Sequence, residues 1–427
     1  MKTPSLYSGL ALGLASAFAL ALGPAAQADA IADFYKGKTI TVYVGYSPGG
    51  GYDTYARTIA RHIGKHIPGE PTVIVKNRPG AGSMLLTNEI YNVLPKDGSV
   101  IGIVGRGMPM EPLFGSDKAK FEPAKFNWIG SANNEVSVCV AWHTSPVKKW
   151  QDLLTTEMIV GGTGEGADTD SFPKVMNNVL GTKLKLITGY PGGNDVLLAM
   201  ERGEVDGRCG YSWSSAKSRK ADWLKEGKMT VLIQMSTEKH PDMPDVPLIM
   251  DLAKNDADKA ALRLIYARQE FGRPFLAPPG VPADRVAALQ AAFMATMDDP
   301  DFKSDAAKQD LELAPVSGQR VGELIAAIYS APAEVVQRAK EATEKVDKTE
   351  ITMIEVALMK ISGAVTEIIK GGRTVHLGDK SAAISGSRTA VMIGGKTDDR
   401  GNIKMGMNCE AELTGENGSE AKTFTCN

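Results

Sequence analysis

From residue 39 the chain alternates short β-rich runs with periodic apolar stretches. TITVYV leads into the glycine-rich turn SPGGGYD and then into TYARTIARHI, where apolar residues recur at helical spacing. TVIV, the turn RPGAGS and the run MLLTNEIY repeat that order. Apolar runs at 100–104 and in SVCVAW add strands. Two further units of strand, glycine loop and helix follow, in MIVGGTGEGADTDSFPKVMNNVL and LKLITGYPGGNDVLLAMERGEVDGRCGYSW. This alternation predicts open α/β sheets. Past a strand at 229–234 the chain crosses the proline-rich KHPDMPDVPLIMDL, and helical periods return at 256–267, 283–297 and 318–343. From about residue 350 the period changes again. β-branched runs alternate with glycine turns, which predicts a small all-β module joined through the charged stretch 339–348. Asp398 to Gly401 reads as a hairpin turn in it.

The first thirty residues follow a different pattern. A basic Met1-Lys2 start precedes an apolar run at 10–22, and Ala26-Gln27-Ala28 and Ala28-Asp29-Ala30 both satisfy a small-x-small cleavage rule. The run is short for a bilayer span. Residues 1–28 are therefore read as a signal peptide cleaved near Ala28 or Ala30, and the mature protein is expected in the periplasm. That compartment permits disulfides. Of the 4 cysteines, Cys409 and Cys426 flank a turn-rich stretch near the C-terminus and are expected to pair. Cys139 and Cys209 lie in apolar strand contexts, where a disulfide and two buried thiols are both open readings.

Composition adds limits. The 427 residues are 43% hydrophobic and 23% charged, with a formal net charge of −2. Ordinary globular composition of this length supports two or three domains, and the charge excludes a general attraction to nucleic acid.

The candidate chemistry lies in four loops, at 47–53, 78–83, 163–170 and 190–194. Each follows a strand and precedes a helical pattern. Glycine lets the backbone approach a ligand, and the amides and dipole of a helix start favour an anion. Two loops come from each α/β region, so a ligand held by all four lies in a cleft between two domains. Gly45-Tyr46-Ser47-Pro48-Gly49 also matches the nucleophile elbow of serine hydrolases. In that elbow the residue after the serine supplies an oxyanion N–H, and Pro48 has none, which argues against a nucleophilic Ser47. His62 and His66 share a helix face at i, i+4 spacing and read as solvated, without further metal ligands. The glycines of GTGEGA miss the dinucleotide fingerprint, and no loop carries a P-loop lysine, so neither cofactor nor metal is expected. Asp53 reads as the cap of a helix beginning at Thr54. Tyr46, Tyr52, Phe172 and Trp213 read as packing or as an apolar wall near the loops.

YSPGGGYDTYAR, VKNRPGAGS, YPGGNDVLLAMERGEVD, PDMPDVP and FLAPPGVPADRV resemble, in order and spacing, the substrate-binding receptors of tripartite tricarboxylate transporters, the Bug receptors. The resemblance covers residues 31–343. It implies a type II periplasmic-binding-protein-like fold with two α/β lobes, 31–135 plus 236–345 and 136–235, followed here by a β-rich module at 350–427. It implies no catalysis. A receptor of this kind, expected as a monomer, closes on a small organic carboxylate and delivers it to membrane permease subunits. The ligand-binding set carried over is Tyr46, Ser47, Gly49, Gly50 and Asp53 in the first loop. Gly80, Ala81, Gly82 and Ser83 come from the second, Thr163, Gly164 and Thr169 from the third, and Gly192, Gly193 and Asn194 from the fourth. The third loop is more acidic than the family pattern. Glu165, Asp168 and Asp170 would repel a second carboxylate if they faced it. A receptor feeding a sensor kinase shares these features, and a secreted serine hydrolase is the remote alternative.

Overall fold

A computed structural model of the chain describes residues 24–344, 351–353, 359–369, 371–384, 389–413, 418 and 421–427. The apolar run at 10–22 lies outside the described residues. The chain divides after Ile354 into two compact units.

The first unit opens with helix α1 (Pro24–Tyr35), which spans both candidate cleavage positions. Beyond them, Ile31 and Tyr35 are buried, and the Tyr35 hydroxyl donates to the Gly98 carbonyl at 3.1 Å. The chain then lays down β1 (Thr39–Val44), α2 (Gly51–Ile63), β2 (Thr72–Asn77), α3 (Met84–Asn92), β3 (Val100–Ile103) and β4 (Asn127–Ser131). It crosses to a second sheet with β5 (Ser137–Trp142), β6 (Met158–Gly161), α4 (Asp168–Val175), β7 (Leu184–Thr188) and α5 (Gly193–Glu201). β8 (Gly207–Ser212), α6 (Trp213–Lys225) and β9 (Met229–Met235) complete that passage. After α7 (Ile249–Leu252) and α8 (Asp256–Tyr266), the chain returns to the first sheet through β10 (Pro274–Ala277). Helices α9 (Ala283–Asp298) and α10 (Pro300–Ala307), strand β11 (Val316–Ser317) and helix α11 (Gly318–Tyr329) follow. Helix α12 (Ala333–Thr343) and strand β12 (Ile351–Met353) end the unit.

The first sheet has the order β11-β4-β10-β3-β1-β2 and the second β12-β7-β6-β8-β5-β9. β1 runs parallel to both neighbours, with Val42 between Val75 and Ile101. Its alternation puts Ile40, Val42 and Val44 on a buried face with Ile59, Phe275 and Phe293. β6 is parallel to β7 and β8, and β5 antiparallel to β8 and β9. Parallel pairing leaves the carboxyl ends of β1 and β2 in one sheet, and of β6 and β7 in the other, each leading into a glycine loop and a helix.

Three boundaries differ from the sequence reading. The helical period at 318–343 is two helices, because Pro332 stands at the N-cap of α12. α12 packs on α8 and also on α4 beside the second sheet, so not all of 236–345 joins the first lobe. Ile351–Met353, expected in the β-rich module, instead pairs in parallel with β7. A disulfide links Cys139 on β5 to Cys209 on β8, which resolves the open reading in favour of pairing.

The second unit has β13 (Met359–Ile369), β14 (Thr374–Leu377), β15 (Lys380–Ala383), β16 (Ala390–Ile393), β17 (Lys396–Thr397), β18 (Asn408–Leu413) and β19 (Ala421–Cys426). They form a seven-stranded sheet in the order β15-β14-β13-β18-β19-β16-β17. Ile361, Val365, Val375, Leu377, Leu413 and Phe424 are in its core. Cys409 and Cys426 face each other across β18 and β19 and form the expected disulfide. A tight hairpin turn falls at Gly394-Gly395, both at positive φ, while Arg400–Asn402 is a 3-10 turn rather than the hairpin turn read from the sequence.

Candidate functional site

The four glycine loops meet in pairs. In the first, Ser47 Oγ donates to Asp195 Oδ2 at 2.6 Å, and the Ser47 N–H donates to the Pro191 carbonyl at 3.2 Å. The first and fourth loops thus touch. In the second, Gly80, Ala81, Gly82 and Ser83 all have positive φ. The Gly82 N–H donates to the Thr163 carbonyl at 2.9 Å, which joins the second loop to the third. Tyr46 Oη donates to the Gly82 carbonyl at 3.1 Å, and Ser83 Oγ accepts the Gly105 N–H at 2.8 Å.

Helix α2 begins at Gly51 behind a Gly50 N-cap, three residues earlier than the sequence reading placed it. Asp53 therefore sits in the first turn, not at the cap. It is buried and accepts from the Gly49 N–H at 2.8 Å, Arg57 Nε at 2.9 Å and Asn77 Nδ2 at 2.8 Å. The N-cap residues of α2, α4 and α5 are Gly50, Ala167 and Gly192, none of which offers a side-chain acceptor to the first amides. The first amides of these helices are the groups a helix leaves without internal partners.

One cavity collects these three helix starts. Its empty space, open mouth included, is about 630 Å³. Gly50 and Gly51 of α2, Ala167, Asp168 and Thr169 of α4, and Gly193 and Asn194 of α5 line it, with Tyr46, Tyr52 and Thr163. Tyr46 and Tyr52 are stacked at 4.8 Å and supply an aromatic wall. Phe172 packs on Tyr266, and Trp213 Nε1 donates to Asp242 at 3.2 Å, so those two aromatics serve elsewhere.

Of the residues singled out from the sequence, Tyr46, Gly50, Thr163, Thr169, Gly193 and Asn194 lie on the cavity wall. Ser47, Gly49, Asp53, Gly80, Ala81, Gly82, Ser83, Gly164 and Gly192 do not. They are spent on loop-to-loop and loop-to-helix contacts: a Cβ on Gly192 would stand 2.2 Å from Ser47 Oγ, and one on Gly164 2.5 Å from the Gly82 nitrogen.

Charged residues that sequence reasoning passed over surround the cavity. Arg106, just past β3, pairs with Asp168 at 2.6 Å and donates to Ser137 Oγ at 2.8 Å. Burial, the largest single effect, would lower the Arg106 pKa, but Asp168, Tyr52 and Glu135 together outweigh it and the net direction is up. Arg268 also reaches Asp168, at 3.4 Å. Arg273 pairs with Glu135 at 3.0 Å and donates to Ser214 and Ser215. Burial would raise the Glu135 carboxyl, but Arg273 and Arg106 hold it below its ordinary value. The pairs on Asp168 join residues beside first-sheet strands to α4, and the hydrogen bonds from Arg273 to Ser214 and Ser215 reach α6.

Arg208 and Arg219 also line the cavity. Arg208 Nη1 donates to the Gly193 carbonyl at 3.1 Å, and its guanidinium lies over the Tyr211 ring at 4.2 Å. Its Nε is buried without a partner. Burial, with Arg106 and Arg273 adding to it, brings Arg208 down to about 10, so it stays charged at neutral pH. Arg219, exposed at the mouth, donates to Thr54 Oγ1 at 2.9 Å. An arginine inside an apolar strand (Arg208 in GRCGYS) was the available sequence signal.

The acids of the third loop are all engaged. Glu165 pairs with Lys118, Asp168 with Arg106, and Asp170 accepts from Thr188 Oγ1 and from the Gly164 N–H. The expected repulsion of a second carboxylate therefore has no free charge behind it. His62 and His66 are partly exposed on the helix face, and each also contacts an acid, Asp305 at 3.0 Å and Asp299 at 2.9 Å. Among the described residues, His240, Asp242 and Glu312 stand close enough to share a cation, but Lys217 already pairs with both acids.

The profile of the tripartite tricarboxylate transporter family receptors matches residues 55–340. The chain belongs to this family. The receptor is 27% identical over 342 residues to the UPF0065 protein in the gbd 5' region of Cupriavidus necator, covering 78% of this chain and 95% of that one. A UPF0065 protein of Agrobacterium vitis, in the ttuE-ttuC' intergenic region, is 23% identical over 57% of this chain and 69% of its own. Among solved structures, the periplasmic binding protein BugD superposes with a TM-score of 0.60 at 20% identity, over 73% of the receptor and 100% of BugD. MatC of Rhodopseudomonas palustris, with bound malate, gives 0.55 at 22% identity over 72% and 99%. An R. palustris protein with adipate gives 0.57 at 18% identity over 71% and 97%. The first unit thus has the two-lobed periplasmic binding protein fold, and the seven-stranded unit is additional to it. Family and fold make this chain a non-enzymatic solute receptor. Ser47, hydrogen-bonded to a carboxylate, has no histidine beside it among the described residues.

Proposed function

We propose that the receptor binds a small organic carboxylate in the cavity between its two α/β lobes and delivers it to a tripartite tricarboxylate-type membrane permease, as an exported monomer cleaved near Ala28 or Ala30. The observation that carries this reading is the convergence of three helix N-termini without side-chain caps on one cavity. Such amides hold a carboxylate without a full buried countercharge. Gly50, Gly51, Gly193, Asn194, Thr163 and Thr169 are the residues we assign to the ligand, with Tyr46 and Tyr52 as its aromatic wall. Malate and adipate in two proteins of the same fold agree in chemical class. The loop pairs Ser47–Pro191 and Gly82–Thr163 join the lobes around the cavity. A ligand that touches both lobes favours the closed form through its differential affinity.

A thermal-shift screen of the purified receptor tests this. Organic acids should raise the melting temperature with concentration, by mass action on the folded state, and neutral sugars should not. Shifts from sugars alone would refute it.

A further inference from the structure

Helix α5 carries a carboxylate beside the residues assigned to an anion. Asp195 stands in its first turn, directly after Gly193 and Asn194. A negative charge there opposes an anionic ligand, since like charges so close repel. Neither Asp195 nor Ser47 lines the cavity. Among the described residues, the one hydrogen bond of the Asp195 carboxylate goes to the other lobe: Ser47 Oγ donates to Asp195 Oδ2 at 2.6 Å. Ser47 follows β1 of the first sheet, while α5 follows β7 of the second. A hydroxyl donating to a carboxylate makes a short bond, about twice as strong as a neutral one. The surrounding backbone is shaped for this contact. The Ser47 N–H donates to the Pro191 carbonyl at 3.2 Å, and a Cβ on Gly192 would stand 2.2 Å from Ser47 Oγ. Gly192 has φ −169°, extended backbone open to any residue, so the space taken by Ser47 is what requires glycine there. At the mouth, Arg219 Nη1 on α6 donates to Thr54 Oγ1 on α2 at 2.9 Å, a second contact between the same lobes.

We propose that Asp195 is a positioning residue that latches the lobes: its bond to Ser47 exists only when the cleft is closed, and it sets the closed fraction without touching the ligand. Both groups return to water when the lobes part, so the bond weights the closed form. Apparent affinity scales with the fraction of receptor in the binding-competent form, so the latch acts on every ligand by the same factor. That gain offsets the repulsion the Asp195 charge brings to the site. The proposal rests on the carboxylate reading above and adds what holds the lobes together apart from the ligand.

Titration calorimetry with malate, adipate, citrate and benzoate tests it on the wild-type receptor, Asp195→Ala, Ser47→Ala and the double variant. Charge repulsion alone predicts tighter binding to Asp195→Ala, whereas the latch predicts weaker binding. Each single variant should lose about tenfold in affinity, the size of a hydrogen bond to a charged group. The factor should be the same for every acid that wild type binds, and the double variant should bind no more weakly than Ser47→Ala. Unchanged or tighter binding to Asp195→Ala, or losses that differ between acids, overturns the latch and leaves the carboxylate reading intact. Ser47→Ala carries the test should Asp195→Ala not fold. A second measurement needs no ligand. Nitroxides on Leu85→Cys of α3 and Lys225→Cys of α6, both exposed, report the distance between the lobes by electron–electron resonance, with no free cysteine among the described residues to compete. The long-distance fraction should rise in both single variants, and an unchanged distribution overturns the latch. If none of the four acids binds, this distance alone decides the latch, and the thermal-shift screen decides the ligand class.

Discussion

Glu111 shows what a single buried carboxyl does to this receptor. It follows β3, is 6% exposed, and lies against Gly166 of the third loop, where a Cβ would stand 2.7 Å from the Glu111 carboxyl carbon. Burial pushes it up to about 7 from an ordinary 4.5, against the pull of Arg268 and with Glu165 adding to the rise. The folded state therefore holds this proton more tightly than the unfolded chain. Its contribution is most favourable below about pH 4.5, is lost as pH rises toward 7, and is level above that. A shift of that size corresponds to roughly 3 kcal/mol of lost stability at pH 8. Glu111→Gln should thus unfold at higher temperature than wild type at pH 8 and close to it at pH 4. Equal differences at both pH values in calorimetry would show that the carboxyl does not titrate in this range. Neither Glu111 nor Arg208 was singled out from the sequence, because what sets each apart is the partner it lacks. That is decided by residues far away along the chain, such as Arg268 for Glu111. Tyr46, Gly50 and Asn194 were legible because strand, glycine and helix start are written within a few consecutive residues.

At the scale of elements, the glycine loops divide into walls and joints. The sequence marks all four alike, since each needs glycine to turn from a strand into a helix. Only their long-range pairing shows that residues 80–83 meet the third loop instead of the cavity. Gly164 tests that joint. It has φ +130°, and a Cβ would come within 2.5 Å of the Gly82 nitrogen and 2.6 Å of the Ala81 carbonyl carbon. Those are backbone atoms, which cannot rotate out of the way. Gly164→Ala should therefore force the second and third loops apart, weakening the affinity for any acid that wild type binds by about tenfold or more. It should also cost on the order of 1–3 kcal/mol in stability from backbone strain. Gly181→Ala is the control. Gly181 also has positive φ, +80°, but nothing lies within 4 Å of its Cβ position. It should show the stability loss without the affinity loss. Titration and melting of the two variants side by side check this, and equal affinities would assign the joint no part in holding the ligand.

At the scale of the whole molecule, the change of period near residue 350 correctly signals a second unit but misplaces its start by a few residues. ITM opens with two β-branched residues, and that pattern is the same whether a strand joins its own module or the edge of another sheet. Ile351, Thr352 and Met353 pair with Leu186, Ile187 and Thr188 of β7. The strand they pair with leads into the fourth glycine loop and α5. A receptor truncated after Ile354 keeps this edge strand and every residue assigned to the ligand, so its acid-induced thermal shift should match that of the full chain. A receptor truncated after residue 348 loses β12 and bares the backbone groups of β7. At roughly 1 kcal/mol net for each ladder hydrogen bond lost, it should be about 1–3 kcal/mol less stable. The loosened β7 should also weaken acid binding more than the longer truncation does. Melting curves of the three chains, with and without a bound acid, separate the contributions. If the chain ending at Ile354 folds like the full receptor yet loses the acid shift, the seven-stranded unit contributes to binding, and the ligand set assigned here is incomplete.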